Sequence, residues 1–383
     1  MSEENVSAGV NYALMKNFKK AMAAMGETTL EFSRRWDVET EPDGLYHYVG
    51  PQKTHRFKSV IEGLGNKDWL AGWMEEYAGD GKPYREDIPV DSMMMAVNDG
   101  LAKGGRPFGY QDEITAPNSD FFGDEKRNAQ LVRGYFKCCR DNGIALTQGE
   151  TAPYVYLLHT TLPTFDENGK KIITSAPFDA ASYSGAVQVV IAPASRYVNG
   201  SRLRPGHVIL GTSSSEWCSN GASVYIKRVS TLPDKFLTKL PNGKTFGEQT
   251  LIPTKSMVPL VAALQDAEVD ITAMGPITGD GVAKAIAITK LDVSLRIRQW
   301  PFAMPLSCLF VMDKFNISMQ EMLHTFNCGL QYVICILRSD VTKAQDAAAR
   351  VGFDLYEIGV VEEGQRCTIM EPFDNLVLPE PGD

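Results

Sequence analysis

Apolar positions first recur at helical spacing between Tyr12 and Met25. Leu14, Phe18, Ala21, Met22 and Met25 share one face there, and Gly26 is the expected stop. Alternation then predicts strands at Leu45–Val49 and Phe57–Ile61, joined by the polar stretch 51–56. A helix is expected over Val90–Leu101, with Met94, Val97 and Leu101 inward. Another is expected over Asp124–Asp141, N-capped by Asp124 and stopped near Gly143, with Leu131, Val132, Tyr135, Phe136 and Cys139 as its stripe. Ile144–Thr147 and Ser184–Ala192 read as strands. Turn signals at Asn199-Gly200 and Pro205-Gly206 then interrupt the pattern. It resumes with a strand at His207–Leu210, a helix over Lys255–Asp266, a strand at Leu330–Leu337 and a helix over Asp340–Val351 ended by Gly352. Strands at Leu355–Val361 and Cys367–Met370 follow, and Glu371–Asp383, with its three prolines, reads as a loose tail.

Strands and helices mix here without a strict strand–helix–strand rhythm. That predicts an α+β chain of two domains, 1–195 and 196–383, and 383 residues suffice for two cores. The net charge is −9 and no Lys/Arg run exceeds two, which argues against a nucleic-acid partner. No stretch approaches the roughly eighteen consecutive apolar residues that span a bilayer, so no membrane partner is expected. Seven cysteines, an odd number without a CxxC pair, fit a reducing compartment. Met1–Lys20 lacks the features of a signal peptide, so the expected location is cytoplasmic.

Three acids stand beside glycines at the ends of predicted elements: Glu62 before Gly63, Asp99 in Asn98-Asp99-Gly100, and Glu150 in Gly149-Glu150-Thr151. Carboxylates converging beside adaptable backbone suit a magnesium ion that grips nucleotide phosphates, and Lys67 could then meet a phosphate. Each acid also has a plainer reading: Glu62 as a turn residue, Asp99 solvating a helix end, Glu150 capping a helix that starts at Thr151. Gly63-Leu64-Gly65 is neither a P-loop nor a complete dinucleotide fingerprint. The small polar residues from Ser213 to Gly221 offer hydroxyls and an amide to a sugar or phosphate, or form a solvated loop. Asn327 either bonds a ligand or closes a turn. Cys328 reads as a packed thiol, and the five histidines show no metal spacing.

Taken in order, these segments resemble the aminoimidazole ribonucleotide synthetases, the phosphoribosylformylglycinamidine cyclo-ligases. The likeness begins at Ser7-Ala8-Gly9-Val10-Asn11. The family's DGVGTK resembles Glu62-Gly63-Leu64-Gly65-Asn66-Lys67, its MCVND resembles Met95–Asp99, and its GGET resembles Gln148–Thr151. The SSGVHSNG loop is similar to Ser214–Gly221, EPT to Ile252-Pro253-Thr254, HITGGG to Pro276–Gly281, and RTFNCG to His324–Gly329.

This resemblance implies a two-domain PurM-like fold. Its N-terminal mixed sheet pairs across a homodimer, and its C-terminal domain is an α/β sandwich. It implies the purine-biosynthetic reaction in which ATP drives closure of the imidazole ring through an iminophosphate, with ATP and Mg2+ as cofactors and a phosphoribosyl compound as substrate. By position, Glu62, Asp99 and Glu150 would hold the metal and, with Lys67, form the catalytic set. Gly63, Gly65, Asn66, Lys67 and Asn98 would meet the nucleotide, and Thr151, Ser219, Asn220 and Asn327 the substrate. This chain departs from the family pattern at Glu62 (for Asp), Asn66 (for Thr), Glu216 (for Gly, adding charge to the loop) and Cys218 (for His), and at Pro276 and Asp280. These departures keep two alternatives open: a relative that phosphorylates another small substrate, and a nucleotide-binding dimer without turnover. Selenophosphate synthetases, hydrogenase-maturation relatives and thiamine-phosphate kinases fit less well. The first cysteine is Cys138, the chain ends Pro381-Gly382-Asp383, and Glu62-Gly63 supplies no aspartate pair.

Overall fold

The computed structural model describes residues 12–41, 45–165 and 171–380. Ser7–Asn11, the side chain of Leu14 and Pro381–Asp383 lie outside the described residues. Helix α1 (Tyr12–Thr29) runs past the expected stop. Gly26 serves packing instead, because a Cβ there would sit 3.0 Å from the Leu146 carbonyl oxygen. Strands β1 (Val38–Thr40) and β2 (Tyr46–Tyr48) form a small antiparallel pair. Then come β3 (Arg56–Gly63), α2 (Lys67–Tyr77), α3 (Ile88–Leu101), β4 (Arg106–Ala116), α4 (Glu125–Asn142) and β5 (Ala145–Pro153). The hairpin β6 (Thr161–Phe165) and β7 (Lys171–Ser175) precedes β8 (Ser182–Ile191).

One four-stranded mixed sheet, in the order β3-β8-β4-β5, organises this half. Only β4 and β5 run parallel. Helix α3 packs on β8 and β3, and α1 packs on β5 and α4. Asp124 caps α4 as expected, accepting from Arg127 N at 3.0 Å, and Gly143 ends it in the left-handed region.

The second half has β9 (Val208–Ser213), α5 (Ala222–Val229), α6 (Phe246–Thr250), α7 (Val258–Asp266), β10 (Ile271–Pro276) and β11 (Val293–Ile297). It continues with α8 (Leu306–Phe315), α9 (Met319–Thr325), β12 (Leu330–Ile336), α10 (Val341–Arg350), β13 (Tyr356–Glu363), β14 (Cys367–Met370) and β15 (Leu376–Pro379). Seven strands form one sheet in the order β10-β12-β9-β13-β11-β14-β15, and every residue of β12 is buried. The tail is not loose as far as Pro379: β15 pairs with β14, from Cys367↔Pro379 to Met370↔Leu376.

The halves are fastened by polar contacts where α3 meets the segment before α7. Asn98 Nδ2 donates to Lys255 O at 3.2 Å, Met257 N donates to Asn98 Oδ1 at 3.0 Å, and the Tyr332 hydroxyl donates to Asn98 O at 3.1 Å. Arg106 adds an outer contact, donating to Gln265 Oε1 at 3.0 Å and pairing with Asp266.

Candidate active site between the two sheets

Strand β3 ends at the Glu62 carboxylate, and the last turn of α3 brings Asp99 to it. The two carboxyls lie close enough to act on each other's protonation. Burial raises the pKa of Glu62 first, and the Asp99 charge adds to it. Burial likewise raises Asp99. The opposing influence on both is the ammonium of Lys284. That residue lies in the 3-10 turn Gly281–Ile288 and donates to Thr278 Oγ1 at 2.6 Å. Sequence reasoning stopped at the Ile277–Gly281 turn and missed Lys284, although a lysine so close behind two glycines was the available signal. Two half-buried carboxylates facing one ammonium across the domain junction could accept a divalent cation and a polyanion together. Two hard oxygens drawn together against their own repulsion fit magnesium, which takes one or two carboxylates and fills its shell with phosphate and water.

Glu150 does not join them, and the sheet register explains why. Glu62, Gly185, Asp112 and Gly149 form one cross-strand row; Gly63, Ser184, Glu113 and Glu150 form the next. Successive residues of a strand point to opposite faces, so Glu62 and Glu150 leave the sheet on opposite sides. Glu150 is exposed and pairs loosely with Lys19 at 3.8 Å. The expectation of three acids around one ion within a single chain is therefore corrected. Among the described residues no group of three metal-ligating side chains forms.

Lys67 is corrected as well. It opens α2 fully buried, and three oxygens surround its ammonium: Asp91 Oδ2 at 2.7 Å, Cys218 O at 2.7 Å and Ile252 O at 3.2 Å. A lysine has three N–H groups, so none is left to reach a phosphate. Asp91 Oδ1 in turn accepts from Thr254 N at 2.9 Å, Thr254 Oγ1 at 2.6 Å and Ser219 Oγ at 3.2 Å. Asn98, expected at the nucleotide, spends its amide on the domain junction. Asn66 spans to α5, donating to Ser223 Oγ at 3.0 Å. Gly63 ends β3 in the open, and Gly65 turns the chain at φ +71° with nothing near a would-be Cβ.

The expected substrate residues divide. Ser219 and Asn220 line a narrow cavity of about 20 Å³ with Thr254, Thr278 and Gln331. Asn327 builds this loop from behind, donating to Glu216 O at 2.9 Å and accepting from Gly329 N at 3.0 Å. Thr151 lies elsewhere, in a cavity beside Asp112. Glu216 adds no charge to the loop surface. It is buried, and its carboxylate accepts from Ser307, Gln249 and Trp217 N. Cys218 holds a left-handed φ of 65°, and burial pushes its thiol up to about 12, so it offers no proton exchange near neutrality. Burial also pushes the Cys328 thiol to about 12, in keeping with its reading as a packed residue.

Comparison with known proteins places the chain in a family. Residues 83–165 match the family described as "AIR synthase related protein, N-terminal domain", and residues 204–371 match the corresponding C-terminal domain. A phosphoribosylformylglycinamidine cyclo-ligase of Bacillus licheniformis is 30% identical over 324 residues, 82% of each chain. The chain belongs to the AIR synthase-related family. Another family member so named, from Caldanaerobacter subterraneus, is 27% identical over 95% of this chain and 98% of its own. One from Clostridium kluyveri is 28% identical over 88% and 92%. Among solved structures, a thiamine-monophosphate kinase from Stenotrophomonas maltophilia superposes with a TM-score of 0.56 at 16% identity, covering 88% of this chain and 92% of that one. The hydrogenase maturation protein HypE in complex with ATP gives 0.55 at 15%, covering 88% of each. These two share the family's fold.

Proposed function

We propose that this chain is an ATP-dependent cyclo-ligase that converts formylglycinamidine ribonucleotide to aminoimidazole ribonucleotide, ADP and phosphate in purine biosynthesis. The observation that carries this reading is the Glu62–Asp99 pair facing Lys284 at the domain junction, in a chain whose motifs follow the cyclo-ligase order. The formyl oxygen attacks the γ-phosphorus of ATP as the bond to the β–γ bridging oxygen breaks, giving an iminophosphate and ADP. The substrate amine then attacks the formyl carbon, and phosphate leaves as the ring closes. Glu62 and Asp99 would hold Mg2+, which neutralises phosphate charge when bound. Lys284 presents a cation to the transferring phosphoryl group, and the Ser219–Asn220 cavity orients the acceptor. Residues 1–195 and 196–383 act as the two domains. Glu150, on the other face of the N-terminal sheet, which also carries exposed Ile61 and Gln148, fits a homodimer in which that face meets a second copy. The enzyme works in the cytoplasm.

The test is to incubate the chain with ATP, Mg2+ and formylglycinamidine ribonucleotide and to follow both imidazole and ADP. Equal release of the two is the expected result. Substrate-dependent ADP without imidazole would move the reading to a relative that phosphorylates another acceptor, which the sequestered Lys67 and the inert Cys218 thiol favour. Lys284→Met is expected to lower kcat by about 100-fold, the usual order for one charge-stabilising group. An unchanged kcat would remove Lys284 from the site.

A further inference from the structure

Beneath α1 lies a cavity of about 200 Å³ that neither Glu62 nor Asp99 lines. Met22, Ala23, Leu30 and Leu146 give it apolar walls, Lys19 and Glu27 reach it from α1, and Asp112 and Gly149 line its sheet side. Asp112 is carried there by the alternation of β4, whose neighbours on the same face, Tyr110 and Ile114, are fully buried. Asp112 itself is only 7% exposed, and its Oδ1 has no hydrogen-bond partner. No cationic side chain compensates it. Burial, and after it the charge of Glu150, pushes the carboxyl up to about 7. Across the register stands Gly149, where a Cβ would come within 2.6 Å of Oδ1. Only a bare glycine leaves room for the Asp112 carboxylate at that place.

A buried carboxylate without a partner costs several kcal/mol in effective desolvation. A chain can carry that cost where a guest supplies the missing donor. Apolar walls and one buried carboxylate offer too few oxygens for a divalent metal, which needs several. They do suit a carbon skeleton that ends in a charged donor. An anionic guest would meet Asp112 and Glu27, while Lys19 already leans on Glu150 at 3.8 Å.

We propose that the cavity under α1 binds a small organic ammonium ion, a primary alkylamine whose –NH3+ donates to the Asp112 carboxylate while its chain lies against Met22, Leu30 and Leu146. This goes beyond the cyclo-ligase reading, because neither ATP nor the phosphoribosyl substrate is used to fill the cavity.

The test is calorimetric titration of the full chain at pH 8 with n-butylammonium chloride, with sodium chloride of equal ionic strength as the blank. Saturable binding of one ion per chain is expected. Asp112→Asn should weaken it at least tenfold. Gly149→Ala, which keeps the carboxylate but places a methyl group against it, should weaken it as well, and thermal melts establish that both variants are folded. No saturable binding, equal binding of n-butanol, or unchanged affinity in Asp112→Asn would overturn the proposal. Displacement of the amine by MgATP would also overturn it, by making the cavity part of the nucleotide site.

Discussion

Asp91 and Asp112 are both aspartates of the N-terminal half, and both are buried. Their surroundings are opposite. Asp91 has an ammonium at 2.7 Å, two hydroxyls and a backbone N–H; Asp112 has an oxygen with no partner at all. Burial alone therefore says little about what an acid is for. An acid paired with a cation joins pieces of the fold, because its charge is already met. An unsaturated one beside a cavity retains capacity for something that is not part of the chain. Glu216 stands between them, buried and served by three neutral donors.

The largest effect should come from breaking the saturated pair. Lys67→Met leaves Asp91 buried without its cation, and such losses run to about 3–5 kcal/mol. Urea unfolding should show it as a lower midpoint. Adding Asp91→Leu should restore part of the loss, since removing both charges removes the unpaired one. A double variant as unstable as the single would mean that the lysine stem, not the charge, carries the effect.

Asp112→Asn should act in the opposite direction, by about 2 kcal/mol in favour of the variant at pH 8. Each tenfold change in proton affinity corresponds to about 1.4 kcal/mol, and relaxation around the ionised group reduces the sum. The folded chain holds the Asp112 proton up to about pH 7, whereas the ordinary carboxyl value is 3.8. Between those values the folded state binds more protons than the unfolded one, so wild-type stability falls as the pH rises through this window and levels off above it. Thermal midpoints of both proteins at pH 5 and pH 8 measure this. A gap that does not widen with pH would show that Asp112 is ionised without strain. The smallest effect is expected from Glu216→Gln, about 1–2 kcal/mol. Its amide turns a donor toward one of three donors, and urea midpoints should place it below Lys67→Met.

Much of the fold was legible because it is periodic. Helix α4 carries a clear stripe, an aspartate cap and a glycine stop, and β14 falls where the apolar run lies. Helix α2 was not legible. Its first eight residues, Lys67 to Met74, are all buried, so no polar face marks a period, and Lys67 drew attention as a phosphate contact instead. Strand β4 was hidden by Pro107 and by an irregular register between Pro107 and Gly109, which break the alternation. In the site, Glu62 and Asp99 were legible from their glycine neighbours. The partners that decide the fate of Lys67 lie at Asp91, Cys218 and Ile252, and no local pattern links these positions. Glu150 was misplaced within the chain because a motif states spacing along the sequence but not which face of a strand a side chain leaves.

The grip of Lys67 on the carbonyls of Cys218 and Ile252 has a consequence for motion. One ammonium ties the start of a helix in the first half to two separate stretches of the second, so the halves cannot swing apart there as rigid jaws. Entry to the cleft must then be admitted by the short segment at its rim that Lys67 does not hold, 276–281, moving over a fixed frame. The rate of opening should follow the stiffness of that loop rather than any bending between the two sheets.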